Sequence, residues 1–132
     1  MALEHCFSII KNKEKIEKAT IPDDFMNYIK DSTFWIISLW NGKTLKNGLP
    51  YYGQAVISNS ELIRFKIILE KWRDLFALAT EKIILTGNFL VEEMKYEKIV
   101  YEKSELLDML DKLLQLCDKA EKLKAEILYE GI

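Results

Sequence analysis

Residues 60–79, SELIRFKIILEKWRDLFALA, determine the fold class more clearly than any other stretch of this sequence. Charged side chains are interspersed there with apolar ones that recur at three- and four-residue spacing: Leu62, Phe65, Leu69, Trp72 and Phe76. This spacing brings the apolar side chains to one face of an α-helix, and Ser60 is a preferred residue at a helix N-cap. The stretch therefore predicts an amphipathic helix that covers a hydrophobic core.

Two further helices are predicted on the same grounds. After Ser104 an apolar stripe recurs at helical spacing, and we expect Leu123 or Ile127 to continue it: Leu106, Leu110, Leu113, Cys117 and Ala120. Acids near the start of this segment and lysines near its end complement a helix dipole. A shorter helix is predicted over 22–31, with a proline and two aspartates in its first turn. Its inward-facing residues are predicted to be Phe25, Tyr28 and Ile29.

Between these helices, aromatic and β-branched residues indicate strands over 33–40 and 51–57, with the turn signal Asn41-Gly42 after the first. The two strands are predicted to pair. A second pair is expected over 82–86 and 96–101, joined through Gly87-Asn88. Residues 6–10 are a further candidate strand, and 11–18 are expected to be a charge-rich connection or a solvated helical turn.

The pattern thus predicts one α+β domain over 1–132, in which a small antiparallel sheet packs with two long amphipathic helices and one short helix. An all-α bundle is the alternative, because the apolar runs 34–39 and 82–90 are short enough to be buried helical segments.

Composition favours a globular protein: 49% of the residues are hydrophobic and 30% are charged. The apolar run 34–40 is too short to cross a bilayer, and the N-terminus lacks the pattern of a signal peptide. We therefore expect a cytoplasmic protein without a membrane partner, in which Cys6 and Cys117 are free thiols.

Negative charge is concentrated in one part of the chain. Residues 92–111 contain three lysines and seven acids, namely Glu92, Glu93, Glu97, Glu102, Glu105, Asp108 and Asp111. Direct binding of nucleic acid calls for a basic face, so this segment favours a basic protein as the partner. Much of the cluster also has a structural explanation, because acids at the start of a helix complement its dipole.

No set of catalytic residues or metal ligands is found. His5 is the single histidine, and next to Cys6 on a strand its side chain would point to the opposite face; we expect it at a frayed or edge position. Gly42-Lys43-Thr44 lacks the earlier glycine of a phosphate-binding loop. The paired acids Glu92 and Glu93 lie among lysines and are expected to be solvated. The sequence therefore predicts neither an enzyme nor a protein with a cofactor.

The aromatic residues suggest where a partner would bind. Three tryptophans and three phenylalanines are expected in the core: Trp35, Trp40, Trp72, Phe34, Phe65 and Phe76. Four tyrosines lie near turns or beside acids: Tyr51, Tyr52, Tyr96 and Tyr101. Tyrosine is enriched at protein interfaces, so these residues indicate a recognition surface, although ordinary edge-strand tyrosines explain them equally well.

The order of several short segments resembles small bacterial immunity proteins encoded beside polymorphic toxins, including those of contact-dependent growth inhibition systems. The segments are Tyr52-Gly53, the 60–79 helix with Trp72 and Leu75-Phe76, Ile84-Leu85-Thr86-Gly87, Tyr96-Glu97-Lys98-Ile99, and the terminal residues 127–132, ILYEGI. The resemblance covers residues 51–132.

The resemblance implies a protein that binds a cognate toxin domain, in many cases a nuclease, and blocks its active site. It would be a monomer when free and a heterodimer with the toxin. The toxin-binding residues it suggests are the acids and tyrosines of one segment: Glu92, Glu93, Tyr96, Glu97, Tyr101, Glu102, Glu105 and Asp108.

Two other classes of function stay open. The chain could be an adaptor or subunit whose amphipathic helices pack on a partner, which predicts oligomerisation. It could also bind a small ligand in a pocket lined by Trp35, Trp40 and Tyr52, which predicts a deep cavity with convergent polar groups.

Overall fold

The computed structural model describes residues 3–132 and has an α+β fold, so the all-α alternative is wrong. Its helices are α1 (Asp23–Thr33), α2 (Asn59–Ala77) and α3 (Lys103–Lys122). Its strands are β1 (Glu4–Lys11), β2 (Glu14–Pro22), β3 (Ile37–Trp40), β4 (Thr44–Asn47), β5 (Gln54–Ile57), β6 (Lys82–Leu90), β7 (Lys95–Glu102) and β8 (Glu126–Glu130).

Six strands form an antiparallel sheet in the order β2-β1-β8-β5-β3-β4, and β6 and β7 form a separate two-stranded sheet. Alternate residues of β1, β5 and β8 are buried on one face, as the two-residue period of a strand requires. This face packs on the helices: for example, the Phe7 ring stacks on Phe65 of α2 at 5.6 Å between centroids. The buried apolar side chains form one continuous core.

The two long helices confirm their predictions. The apolar stripes of 60–79 and of the segment after Ser104 are buried as expected. The predicted N-cap is wrong, because α2 begins at Asn59 with Ser58 at its N-cap, and the Ser60 hydroxyl lies 3.0 Å from that of Ser58.

The last strand was not predicted. Helix α3 ends at Lys122, and the left-handed backbone of Lys124 (φ 54°) turns the chain into β8, so the expected continuation of the helical stripe to Ile127 is wrong. Ile127 and Tyr129 are buried at alternate positions, which is the period of a strand. β8 lies between β1 and β5 and joins the N-terminal hairpin to the rest of the sheet.

The N-terminal hairpin extends further than expected. The strand predicted over 6–10 is confirmed within β1, but 11–18 is neither a loop nor a helical turn, because most of it belongs to β2 and to the turn before it. Asn12 and Lys13 both have positive φ values, 53° and 66°, as the central residues of a type I′ turn require. No glycine marks this turn, so the hairpin was missed.

The central strands differ in detail from the expectation. The predicted pairing of 33–40 with 51–57 is confirmed, since Leu39 pairs with Val56 and Trp40 with Ala55. However, the strand begins only at Ile37, because Thr33 ends α1, and the Asn41-Gly42 turn leads into β4 rather than toward β5.

The pairing of β6 with β7 is confirmed, but its predicted turn is wrong. Gly87 and Asn88 lie inside β6, where one extra residue between Thr86 and Phe89 forms a bulge, and the chain reverses at residues 91–94. A Cβ at Gly87 would lie 2.3 Å from Cγ of Glu97, so a larger residue there would displace the Glu97 side chain.

Three of the six aromatic residues assigned to the core are buried, namely Phe65, Trp72 and Phe76, and Trp40 is partly buried. Phe34 and Trp35 are exposed, Trp35 by 64%, because they lie in the turn after α1 and Ile36 takes the buried position. In α1, Phe25 and Ile29 face inward as predicted, whereas Tyr28 is exposed and Met26 is buried instead.

Both cysteines are free, with Cys117 buried and Cys6 partly buried. Burial raises the pKa of the Cys117 thiol from 9.0 to about 12. None of the helices within residues 3–132 combines the length and the apolar character needed to cross a membrane.

The buried thiol predicts a loss of stability in alkaline solution. Above pH 9 the unfolded chain releases the Cys117 proton while the folded chain keeps it, so this group stabilises the fold below pH 9 and its contribution falls as the pH rises toward 12. Relative to Cys117→Ala, the parent protein should lose about 2 kcal/mol of unfolding free energy from about pH 8 to about pH 10.5. Urea unfolding followed by circular dichroism measures this difference.

The matched control is Cys6→Ala, which should leave the pH dependence of the parent protein in place. Parallel pH profiles for the parent and Cys117→Ala would contradict the assignment to Cys117.

Candidate functional site

The two-stranded sheet, which we call the arm (residues 82–102), has a buried side and an exposed side. Ile83 and Leu85 face the core, and Tyr101 packs edge-on against Phe25 of α1 at 6.0 Å between ring centroids. The opposite side faces solvent and carries Ile84, Thr86, Phe89, Tyr96, Lys98 and Val100.

Apolar and aromatic side chains form two cross-strand pairs on this exposed side. Ile84 pairs with Val100 across the strands, and they are 61% and 57% exposed. Beyond the bulge Phe89 pairs with Tyr96, and their rings meet edge to face at 5.0 Å between centroids. The Thr86–Lys98 pair lies between these two apolar pairs, and we call the four apolar and aromatic side chains the arm face (Ile84, Phe89, Tyr96 and Val100).

Acids border the arm face at both ends. Glu92 and Glu93 are exposed in the 91–94 turn at the tip, where Glu93 pairs with Lys95 at 3.6 Å between Oε2 and Nζ. At the base, Glu102 pairs with Lys82 at 3.6 Å between Oε1 and Nζ. Both charged and apolar groups are therefore available to a partner on the same surface.

The structure does not bring all eight predicted binding residues together. Four lie on or beside the arm face, namely Glu92, Glu93, Tyr96 and Glu102. Glu97 and Tyr101 lie on the other side of the arm, and Glu105 and Asp108 lie on α3.

Glu97 and Tyr101 make contacts within the protein. The Glu97 carboxylate accepts a hydrogen bond from the backbone N–H of Asn88 at 3.1 Å and so holds the bulge of β6. The Tyr101 hydroxyl donates to Asp24 of α1, and burial together with this bond raises the pKa of Tyr101. These two residues fix the arm to the core and set the direction in which the arm face points.

Glu105 and Asp108 line a different surface, a cleft between α3 and β2. Asp108 pairs with Lys112 one helical turn later, at 3.1 Å between Oδ2 and Nζ. The part of the acidic cluster that begins α3 therefore does not belong to the arm face.

A buried polar network, missed by sequence reasoning, connects β1, α1 and β8. His5 is 1% exposed, so its predicted frayed or edge position is wrong: β1 lies between β2 and β8. Its Nε2 donates to Asp23 Oδ1 at 2.7 Å, and in a neutral imidazole Nδ1 accepts from the Tyr129 hydroxyl at 2.6 Å. Tyr51 donates to the other oxygen of Asp23 at 3.0 Å, which raises the pKa of Tyr51, while burial raises that of Tyr129.

A pocket of about 420 Å³ opens beside this network. Its walls are mostly apolar, and its lining includes His5, Met26, Lys30, Trp40, Leu49 and Tyr51. Of the three residues predicted to line a small-ligand pocket, Trp40 lines this one, whereas Trp35 and Tyr52 lie elsewhere. Both His5 nitrogens are already bonded to protein groups, so the network stabilises the fold and leaves neither ring nitrogen for a ligand.

Within residues 3–132, no group of three or more histidine, cysteine or acidic side chains is arranged to hold a metal ion. The chain matches no protein-family model, and comparison with curated proteins and with solved structures finds no match.

The network predicts strong coupling between His5 and Tyr129. His5→Phe leaves an Asp23 oxygen and the Tyr129 hydroxyl without their buried partner, and should cost about 3 kcal/mol of unfolding free energy. Because Tyr129→Phe removes one of the same bonds, the double variant should be more stable than the sum of the single effects predicts, by at least about 0.5 kcal/mol. Urea unfolding of all four proteins completes the cycle.

Tyr52→Phe is the matched control, because Tyr52 is 72% exposed and its change should stay within about 0.5 kcal/mol. Additive effects of His5→Phe and Tyr129→Phe would contradict the coupled network.

Proposed function

We propose that this protein is an immunity protein that binds a cognate bacterial toxin domain and occludes its active site, with the arm face as the main contact surface. The observation that carries the proposal is two exposed cross-strand pairs of apolar and aromatic side chains, with acids at both ends, on a hairpin outside the main sheet. The resemblance of residues 51–132 to such immunity proteins supports the same function.

The composition of the arm face suits a protein partner. Interfaces typically have an apolar and aromatic centre within a polar, charged rim. Ile84, Phe89, Tyr96 and Val100 would form the centre, and Glu92, Glu93 and Glu102 the rim. If the toxin is a nuclease with a basic groove, the exposed acids at the tip would speed its association by electrostatic attraction.

The buried side of the arm fixes it to the core. An isolated two-stranded hairpin is marginally stable, but here Ile83 and Leu85 are buried in the core and Tyr101 bonds to Asp24. Binding would therefore not require folding of the arm, which lowers its entropic cost.

The adaptor alternative has one observation in its favour. The outer side of α2 and its C-cap carry a second apolar set, each member at least half exposed: Ile63, Ile67, Leu75 and the C-cap residue Leu78. This stripe also carries acids, because Glu70 and Asp74 follow Ile63 and Ile67 at helical spacing. It therefore serves as the natural comparison surface for the arm.

We further propose that the protein acts in the cytoplasm, as a monomer when free and as a heterodimer with the toxin. The direct test uses the toxin domain encoded by a neighbouring gene. Co-expression should restore growth and yield a stable complex of the two proteins. Growth arrest despite co-expression would contradict toxin neutralisation.

The arm face is tested by charge insertion. Ile84→Lys combined with Val100→Lys places two charges in the proposed contact and should weaken toxin binding at least tenfold, since loss of about 1.4 kcal/mol lowers affinity by that factor. Isothermal titration calorimetry measures the affinity, and circular dichroism checks that the variant is folded.

Ile63→Lys combined with Ile67→Lys is the matched control, because both residues are similarly exposed on α2. It should leave the affinity within about twofold. If the α2 variant lost binding and the arm variant kept it, the interface would lie on α2, and the adaptor function would be favoured.

A further inference from the structure

We propose that the cleft between β2 and α3 binds an extended segment of a partner protein that carries basic residues and adds to the main sheet as a further strand next to β2. This inference is independent of the arm face and of toxin neutralisation. It rests on the unpaired edge of β2, on the shape of the cleft and on the charges that line it.

β2 is an edge strand with an available backbone. It is nine residues long and lies at one end of the sheet order, so β1 pairs with it on one side only. On its other side, β2 makes no backbone hydrogen bond to any element within residues 3–132. A row of unpaired N–H and C=O groups is the template to which an extended peptide adds as a strand.

The cleft runs along that edge. Four consecutive residues of β2, Glu17 to Thr20, line it. Side chains alternate between the two faces of a sheet, so four consecutive residues can share one wall only along the strand's outer edge. The cleft volume is about 580 Å³.

The opposite wall is one face of α3. Its residues recur at helical spacing: Glu105, Asp108, Met109, Lys112, Gln115 and Leu116. From Glu105 to Leu116 the helix rises about 16 Å, which matches the length of about five residues in extended conformation. A groove between an edge strand and a helix thus has the right length for a short strand.

The charges of the cleft favour a basic occupant. Its lining includes four acids (Glu4, Glu17, Glu105 and Asp108) and two lysines (Lys18 and Lys112), a net charge of −2. Lys112 pairs with Asp108, and Lys119 of α3 pairs with Glu17 at 3.4 Å between Nζ and Oε1, whereas Glu105 forms no ion pair with any residue of 3–132. Ala19, Met109 and Leu116 provide apolar surface between the acids.

A second copy of this chain is a poorer occupant. Pairing of β2 with β2 would bring the same acid-rich linings together, and like charges in close contact disfavour association. A segment in which lysine or arginine alternates with apolar residues would instead form ion pairs with the acids and cover the apolar surface. Its backbone would at the same time form hydrogen bonds with the edge of β2.

The probe is the peptide acetyl-KVKVKVK-amide, with acetyl-EVEVEVE-amide as its charge-reversed control. The basic peptide should bind saturably and perturb the backbone amide NMR signals of residues 16–21, and the acidic peptide should bind at least tenfold more weakly. Glu105→Lys should weaken binding of the basic peptide at least threefold. Glu92→Lys, an equal charge change at the tip of the arm, should leave it unchanged.

Backbone N-methylation tests whether the peptide adds as a strand. In an added strand, alternate backbone N–H groups point toward β2 and the others point away from it. Two N-methylated versions of the basic peptide are compared, each methylated on one of these two sets. Methylation of the set that faces β2 should abolish binding, and methylation of the other set should leave it intact. Equal effects of both sets, or no saturable binding of the basic peptide, would overturn the proposal. A dimer of the free protein in sedimentation, with the same amides perturbed, would overturn it in favour of a second copy.

Discussion

The structure depends on the insertion of β8, the last strand of the chain, between β1 and β5. Ile127 and Tyr129 of β8 are buried, and Tyr129 joins His5 in the polar network that also holds α1. The residues after β8 continue this contact, since the Gly131 N–H donates to the Gly53 carbonyl at 2.8 Å. A Cβ at Gly131 would lie 2.2 Å from the Tyr51 carbonyl oxygen, so only glycine fits. The N-terminal hairpin is thus connected to β5, β3 and β4 within the sheet only through β8.

This arrangement also decides which groups stay exposed. With β8 in the centre, the six-stranded sheet ends at β2 and β4, and β6 and β7 pair only with each other. The arm buries one side against α1 and α3 and leaves the other side without a partner within residues 3–132. The arm face and the β2 edge are therefore consequences of the strand order, and both are natural sites for association with another protein.

The helices and the α+β class could be predicted from sequence because apolar periodicity is a local signal. The missed features depend on weaker or long-range signals. The Asn12-Lys13 turn contains no glycine, β4 is short and fully exposed, and β8 follows α3 without a proline or glycine between them. The sequence could identify Tyr96 as a surface residue. Its pairing with Phe89 on the exposed side depends on the bulge at Gly87, which no local pattern indicates. The contact of His5 with Tyr129 joins residues 124 positions apart, which no local pattern reveals.

The division of the acidic cluster changes which force would supply affinity at the arm. Glu97 holds the bulge, and Glu105 and Asp108 lie on α3. Glu102 pairs with Lys82 and Glu93 with Lys95, so Glu92 is the exposed acid at the tip that forms no ion pair within residues 3–132. An exposed ion pair contributes about 0.2–1 kcal/mol and is weakened by salt. Full burial of one isoleucine or phenylalanine side chain contributes about 1.5–3 kcal/mol, and the arm face has four large apolar or aromatic groups. Apolar contact would therefore dominate the stability of a complex at the arm, and the acids would act mainly on its rate of formation.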